Sequence, residues 1–426
     1  MPLHPAPACV ESPSLPASHP RIQWTAPDGA AASARWRSER GAPAPQRVVM
    51  ADDTTTADTA YRLACAGTAL LWLGDFHNAR QLLQAMARRC DATPARKQRK
   101  AAQAAPDNHT APAGAEAFHK HRQAQAQRAR ILGMVLLRFE PDHTLALRRA
   151  PDVQRACTHA WGAPAAEGGD SVASLRELLG LTSAQEWRRV GVEIPALGAP
   201  PHNRVFPHYG VFSPARGEYI DLVAQAPLPC ASTGAPLPVF DIGTGTGVLS
   251  AVLARRGVGP ITATDLDPRA LACARENLTQ LGVSDRVTLL QTDLFPAGQA
   301  LLVVCNPPWL PARASSPVEH AVYDEGSRML RGYLNGLAAH LAPAGEGWLI
   351  LSDLAEHLGL RSRAELLLWI EQAGLAVLGR LDTQPRHSKA SNASDPLHSA
   401  RAVEVTSLWR LGASALRQPQ QVATPG

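Results

Sequence analysis

Val239-Phe240-Asp241-Ile242-Gly243-Thr244-Gly245-Thr246-Gly247-Val248 joins a short apolar run to a loop in which every second residue is glycine. The run reads as a strand, and Val248 to Arg256, closed by Gly257, reads as a helix. The glycines allow the tight turn between them and let backbone N–H groups approach a ligand closely. Outward from this stretch, strands and helices alternate. Ile261–Thr264 is a strand. Pro268 to Leu281 is a helix, with proline tolerated near its start and Gly282 at its end. Leu271, Ala274, Leu278 and Leu281 share one helical face. Val287–Gln291 and Leu301–Cys305 are strands, the second apolar throughout as a central parallel strand should be. Met329–Leu341 is a helix, Trp348–Leu351 a strand and Arg363–Gln372 a helix. Leu375–Leu381 and Ala402–Leu411 have no helix between them, which predicts an antiparallel hairpin at one edge. The series predicts an α/β domain with a Rossmann-like, doubly wound sheet over residues 238–411.

The glycine spacing narrows the ligand. A dinucleotide fingerprint is G-x-G-x-x-G, but position 248 is Val and the third glycine, Gly247, comes one residue early. No Lys followed by Ser or Thr is present, so the loop is not a phosphate-binding P-loop. An acidic residue, Asp241, ahead of Gly243-Thr244-Gly245-Thr246-Gly247 suits a ligand without phosphates, such as S-adenosyl-L-methionine. Asp265 ends the second strand, where a carboxylate can accept from both hydroxyls of a ribose. Asp267 is placed to cap the following helix. Asp293, after the third strand, can accept from an adenine amino group.

Asn306-Pro307-Pro308-Trp309 directly follows the fourth strand. An amide or exocyclic amine is a poor nucleophile because its lone pair is delocalised. The Asn306 side-chain oxygen and the Pro307 carbonyl can each accept one hydrogen of an NH2 group. Holding both draws the nitrogen toward a tetrahedral shape and aims its lone pair. Pro307 and Pro308 stiffen the backbone so that the acceptors are pre-positioned. Trp309 offers a flat face on which a planar amide or base can stack. The catalytic candidates are therefore Asn306, Pro307, Pro308 and Trp309. The cofactor candidates are Asp241, Gly243, Thr244, Gly245, Gly247, Asp265, Asp293 and Asn306. The histidines show no metal spacing.

These motifs resemble the class I S-adenosylmethionine-dependent methyltransferases of the "small domain" group. That group includes release-factor glutamine, adenine-N6 and ribosomal RNA guanine-N2 methyltransferases. The resemblance covers about Val205 to Leu411. Asp241–Gly247 looks like the cofactor motif, Asp265 like the ribose carboxylate, Asp293 like the adenine contact and Asn306–Trp309 like the (N/D)-P-P-(F/Y/W) motif. It implies a seven-stranded sheet with the C-terminal antiparallel hairpin. It further implies an N-methyltransferase acting on a macromolecule, either a protein glutamine or a nucleobase amine, in a setting close to the ribosome. Trp stands where Tyr or Phe is commoner, and Gly298-Gln299-Ala300 lacks the family's frequent Asp. Gly210-Val211-Phe212-Ser213 is similar to a segment of the guanine-N2 enzymes, whereas a helical N-terminal region is more like the glutamine enzymes.

The rest of the chain is read from composition and periodicity. The 426 residues carry a net charge of +5, which permits a nucleic-acid partner without demanding one. Seven cysteines, an odd number without C-x-x-C spacing, argue against a disulfide framework or zinc site. With no secretory signal and no apolar run of membrane length, the cytoplasm is the expected location. Residues 1–55 read as a disordered tail, with nine prolines in the first 50 positions, and Met50 is a candidate start of translation. Residues 56–190 read as mainly helical, because Leu70, Leu73, Phe76, Leu83 and Met86 recur at helical spacings. A basic insertion, about 91–128, interrupts them. Arg88–Arg130 holds ten Lys or Arg against three acids, and reads either as a solvated flexible stretch or as an electrostatic arm for RNA. Residues 191–237 read as a strand hairpin and linker, and 412–426 as a second disordered tail.

Several groups carry two readings each. Tyr323-Asp324-Glu325-Gly326 closes over a substrate or forms a surface turn. His387, Lys389, His398 and Arg401 touch an anionic substrate or are solvated. His208 and Tyr209 line a pocket or pack beside it. Two competing functions remain on the sequence: a non-catalytic RNA- or ribosome-binding module, and a nicotinamide-dependent oxidoreductase. The displaced glycine counts against the second.

Overall fold

The computed structural model describes residues 20–104, 114–164, 168–229, 236–314, 317–385 and 397–414. Two large sheets organise them, one of six strands and one of seven.

The first sheet lies in the N-terminal half. β1 (Arg21–Thr25) and β2 (Ala31–Trp36) form a hairpin, followed by β3 (Arg47–Ala51), α1 (Ala57–Cys65) and β4 (Thr68–Trp72). Then come α2 (Phe76–Ala104), α3 (Gly114–Leu132), β5 (Val135–Phe139), α4 (Gln154–Trp161), β6 (Ser171–Ser174) and α5 (Leu175–Val190). The strand order is β1-β2-β6-β5-β4-β3.

This corrects one sequence expectation and refines another. The part of the 1–55 segment that is described, from residue 20, is not a disordered tail. Its prolines fall ahead of β1 or in the turns, while Ile22, Ala34 and Trp36 are buried against Ala69, Leu71, Leu136 and Val172. Met50 pairs with Leu71 inside the sheet, so residues ahead of it belong to the folded domain. The described part of 56–190 does carry five helices, but β4, β5 and β6 run among them and join the first sheet, which the periodicity did not show. Leu70 lies in β4, whose five residues are all buried, and Phe76 starts α2. The apparent helical spacing runs across a strand, a turn and a helix. A continuous apolar run buried on both faces of a sheet cannot be told from a buried helix by periodicity alone.

The basic 91–128 stretch is helical over 91–104 and 114–128. Its Ala, Gln, Arg and Lys residues are good helix formers. Residues 105–113 lie outside the described residues, as do 1–19 and 415–426 of the expected tails. Ala413 is still within the last strand.

The hairpin of the 191–237 segment is β7 (Val192–Glu193) with β8 (Arg204–Val205), and α6 (Glu218–Gln225) follows. This segment is more than a linker. Val192, Ile194, Leu197, Val205, Tyr219 and Ile220 share one core with the strands and helices that follow.

The seven-stranded sheet has the order β11-β10-β9-β12-β13-β15-β14. β9 (Val239–Ile242), α7 (Val248–Arg255), β10 (Ile261–Asp265), α8 (Pro268–Gln280), β11 (Val287–Gln291) and β12 (Ala300–Cys305) form its first half. α9 (Arg328–His340), β13 (Leu341–Ser352), α10 (Leu354–His357), α11 (Arg363–Gln372), β14 (Leu375–Thr383), α12 (His398–Arg401) and β15 (Thr406–Ala413) form the second. β9 to β13 run parallel, and β15 pairs antiparallel with both β13 and β14. The expected antiparallel edge hairpin is thus present, but its two strands are joined through a short helix, α12, that the sequence reading did not expect. Two cores cover the two faces, one against α7 and α8 and one against α9 and α11. The strand order reverses beside β9, which opens a crevice at the carboxyl ends of β9 and β12.

Candidate active site

A cavity of about 870 Å³ occupies that crevice. Gly243, Thr244 and Gly245 line one side, Asp265 and Asp293 stand at the ends of the neighbouring strands, and Asn306, Pro307, Pro308 and Trp309 line the other.

The glycine loop is shaped by conformation and by contact. Gly243 and Gly245 have φ of +73° and +55°, a region that side chains disfavour. A Cβ on Gly243 would come within 2.5 Å of Met329 Cε. Gly243 and Thr244 donate their N–H groups to the Thr264 carbonyl at 2.9 and 2.8 Å, which ties the loop to β10.

Two of the cofactor candidates do not reach the cavity. Asp241 is 1% exposed, and its Oδ2 accepts from the Thr244 and Ser250 hydroxyls at 2.8 and 2.6 Å. It holds the loop from behind. Burial pushes its carboxyl above the usual range, while those two hydroxyls oppose the shift. Gly247, with φ +79°, caps α7, and a Cβ there would press on Ala274 at 3.2 Å. The alternation of side chains along β9 explains the first correction, and close helix packing the second.

Asp265 sits on the cavity wall with each carboxylate oxygen already accepting one backbone N–H. Gly245 donates to Oδ2 and Asp267 to Oδ1, both at 3.0 Å. Each oxygen keeps a further acceptor position. Burial raises its pKa, with the two backbone donors acting against it. Asp267 caps α8 through Arg269 N at 2.8 Å. Asp293 lines the cavity and accepts from the Arg328 guanidinium at 3.1 and 3.4 Å.

In the Asn306 loop, the Trp309 indole N–H donates to Asn306 Oδ1 at 2.9 Å. Leu310 then pairs with Val322 and Asp324 across the next turn. Tyr323, Asp324 and Glu325 line the cavity. Asp324 also accepts from the Met329 and Leu330 N–H groups at the start of α9. Arg401 lines the cavity, whereas His398 does not, and His387 and Lys389 lie outside the described residues. His208 is turned to Glu276 at 2.8 Å and Tyr209 packs on the N-terminal core, so neither lines it.

Sequence reasoning missed Arg216, Tyr219, His320, Leu354 and Glu404, which all line the cavity. They come from distant parts of the chain with no motif in common. Glu404 is 2% exposed and held by Ser352 Oγ at 2.6 Å, at the far side of β12 from the glycine loop. Among the described residues, no group of three or more His, Cys, Asp or Glu is placed to hold a metal, and no helix is long and apolar enough to cross a membrane.

A class I methyltransferase arrangement is defined by this strand order, edge hairpin and strand-end crevice together. Residues 202–352 match the family model described as methyltransferase small domain. The chain is 29% identical to the tRNA1(Val) (adenine(37)-N6)-methyltransferase of Shewanella loihica over 230 residues, covering 49% of this chain and 89% of that one. It is 36% identical to a release factor glutamine methyltransferase of Cereibacter sphaeroides, over 35% of this chain and 57% of that one. With a ribosomal protein L11 methyltransferase of a Geobacter species the identity is 37%, over 28% and 33%. The chain thus spans most of the first relative but little more than half of the second and a third of the third.

Proposed function

We propose that this chain is an S-adenosyl-L-methionine-dependent N-methyltransferase acting on a planar amide or amine nitrogen of a macromolecule, a protein glutamine or an exocyclic nucleobase amine. One observation carries the reading: a single cavity joins the glycine loop and Asp265 to the Asn306–Trp309 loop. The names of the relatives, which act on a tRNA adenine, on release factors and on ribosomal protein L11, support the choice of a macromolecular acceptor.

The residues fit the cofactor. The loop backbone at Gly243 and Gly245 has no Cβ to keep a ligand away, and Asp265 can accept from ribose hydroxyls. Asp293 stands where an adenine amino group could be met. When bound, the cofactor supplies an electrophilic methyl on a sulfonium. Asn306 Oδ1 and the Pro307 carbonyl would take the two hydrogens of the acceptor nitrogen and turn its lone pair toward that methyl. Pro307 and Pro308 hold the acceptors in place before the acceptor arrives. Trp309 supplies a flat wall.

The test is transfer of a tritiated methyl group from S-adenosyl-L-methionine into lysate from a strain lacking this gene, followed by protease or ribonuclease digestion. Label released by one enzyme assigns the acceptor class. Asn306→Ala should leave donor affinity, measured by calorimetry, within about twofold and reduce transfer by about 10²-fold or more. Binding of NAD without binding of S-adenosyl-L-methionine would reject the proposal. Donor binding without any transfer would favour a non-catalytic module.

A further inference from the structure

α3 belongs by sequence to the basic stretch of the N-terminal half, yet its first half is seated in the methyltransferase domain. Gly114, Phe118 and Arg122 recur every four residues and so share one helical face. Gly114 packs against the α10 backbone so closely that a Cβ would lie 2.9 Å from the Leu358 carbonyl. Phe118 is 1% exposed, in one cluster with Leu310, Leu354, Leu358 and Leu397.

Arg122 makes three contacts with the segment that follows Trp309. Its guanidinium lies 4.0 Å from the centroid of the Tyr323 ring. It pairs with Glu319 at 3.2 Å and donates to the Arg313 carbonyl at 2.6 Å. A planar cation with several fixed donors can satisfy a ring face, a carboxylate and a carbonyl at once, which an ammonium cannot do with the same geometry. Leu310 and Tyr323, the residues this clasp brackets, both line the cavity.

The other half of α3 is anchored in the N-terminal domain. Ile131 and Leu132 are buried in its core, and Arg128 pairs with Asp91 of α2 at 2.8 Å. The helix has 19 residues, a rod of about 28 Å. It is therefore a strut with one end in each domain.

We infer that α3 is a positioning strut: through Arg122 it holds the cavity wall formed by Leu310 and residues 320–324 in the arrangement that captures the methyl acceptor, so the N-terminal domain completes the acceptor side of the site. The inference rests on the proposed methyl-transfer function and adds a positioning residue, Arg122, to it. The donor side, built from Gly243, Gly245 and Asp265, makes no contact with α3 among the interactions above. The two halves of the site should therefore respond differently to a change at Arg122.

The test uses the full chain, with Arg122→Ala and Arg122→Lys. Hydrogen exchange should accelerate at 319–324 in Arg122→Ala, while calorimetric affinity for S-adenosyl-L-methionine stays within about twofold. With the lysate acceptor described above, half-saturation should rise about fivefold or more and the limiting rate change by less than about twofold. Arg122→Lys keeps the charge beside Glu319 and should fall between the two. Unchanged exchange at 319–324 overturns the strut, whatever the transfer assay gives. Faster exchange with unchanged half-saturation overturns its role in acceptor capture. If the unaltered protein transfers no methyl to any acceptor, the proposed function itself fails, and the exchange measurement still decides whether Arg122 holds the wall.

Discussion

The Trp309 indole N–H donates to Asn306 Oδ1 at 2.9 Å. An indole is a donor only, so it can face only the oxygen of the Asn306 amide. This leaves the amide with one orientation and a second acceptor position on Oδ1. Tyr or Phe at this position would not make the same bond from the ring edge. Trp309→Phe keeps an aromatic face but removes this donor. A hydrogen bond of this kind contributes about 1 kcal/mol, or roughly fivefold in rate. Single-turnover methyl transfer should slow by about that factor with donor affinity unchanged. An unaltered rate would show that Asn306 is oriented without Trp309.

Gly243 tests the donor side. Its φ of +73° costs any other L-residue about 1–2 kcal/mol, and a Cβ would lie 2.5 Å from Met329 Cε. Met329 lines the same cavity and would have to move. Gly243→Ala is expected to weaken S-adenosyl-L-methionine binding about tenfold or more in calorimetry. Affinity equal to that of the parent protein would separate this loop from the donor.

Asp241 and Asp265 should behave differently although both are strand-end carboxylates. Asp241→Ala leaves the Thr244 and Ser250 hydroxyls without their shared acceptor, at a cost of about 2–4 kcal/mol of stability. The melting temperature of that variant should fall by several degrees, and Asp241→Asn should recover much of the loss. Asp265→Ala, on the cavity wall, is expected to weaken donor binding more than it lowers the melting temperature. The reverse ordering of the two variants would exchange the structural and binding roles assigned here.

His143 ties stability to pH in the N-terminal domain. It is 2% exposed, with Nε2 at 3.2 Å from the Gly162 carbonyl. Burial, and then the nearby Arg37 and Arg35 charges, lower its pKa from 6.5, while the Gly162 carbonyl and Asp142 oppose them. The unfolded chain therefore binds this proton more tightly than the folded one. The stability held above the unfolded value of 6.5 is lost as pH falls from there toward the lower folded value. His143→Asn removes the titration, and Asn tolerates the φ of +71° at this position. Melting temperatures recorded from pH 7.5 to 5 should fall less steeply for the variant. Parallel curves would show that His143 does not contribute.

Much of the second sheet was legible in the residues alone. Strand and helix periods, Gly257 and Gly282 as stops and Pro268 as a start are local signals. The central place of a parallel strand follows from its apolar run, which must be buried on both faces. The glycine loop and Asn306–Trp309 stood out because each is contiguous and each sits at a strand end. The first sheet was not legible, since its strands are short and β4 borrowed a helical spacing from α2. Lys, Arg, Gln and Ala also gave α2 and α3 the look of a solvated insertion.

The sequence by itself determined the strands and the longer helices of residues 238–411, though not the short α10 and α12, and the two loops that meet at the strand ends, because secondary structure and turns depend on neighbours within a few positions. Only the tertiary structure decided that Asp241 stands behind its loop, that Glu404 and Arg216 reach the cavity, and that Arg122 clasps Tyr323 from the other domain. Such contacts join residues up to about 200 positions apart, as Arg122 and Tyr323 are. They exist only once packing has closed the intervening chain, and no local pattern records which side chains will then face one another.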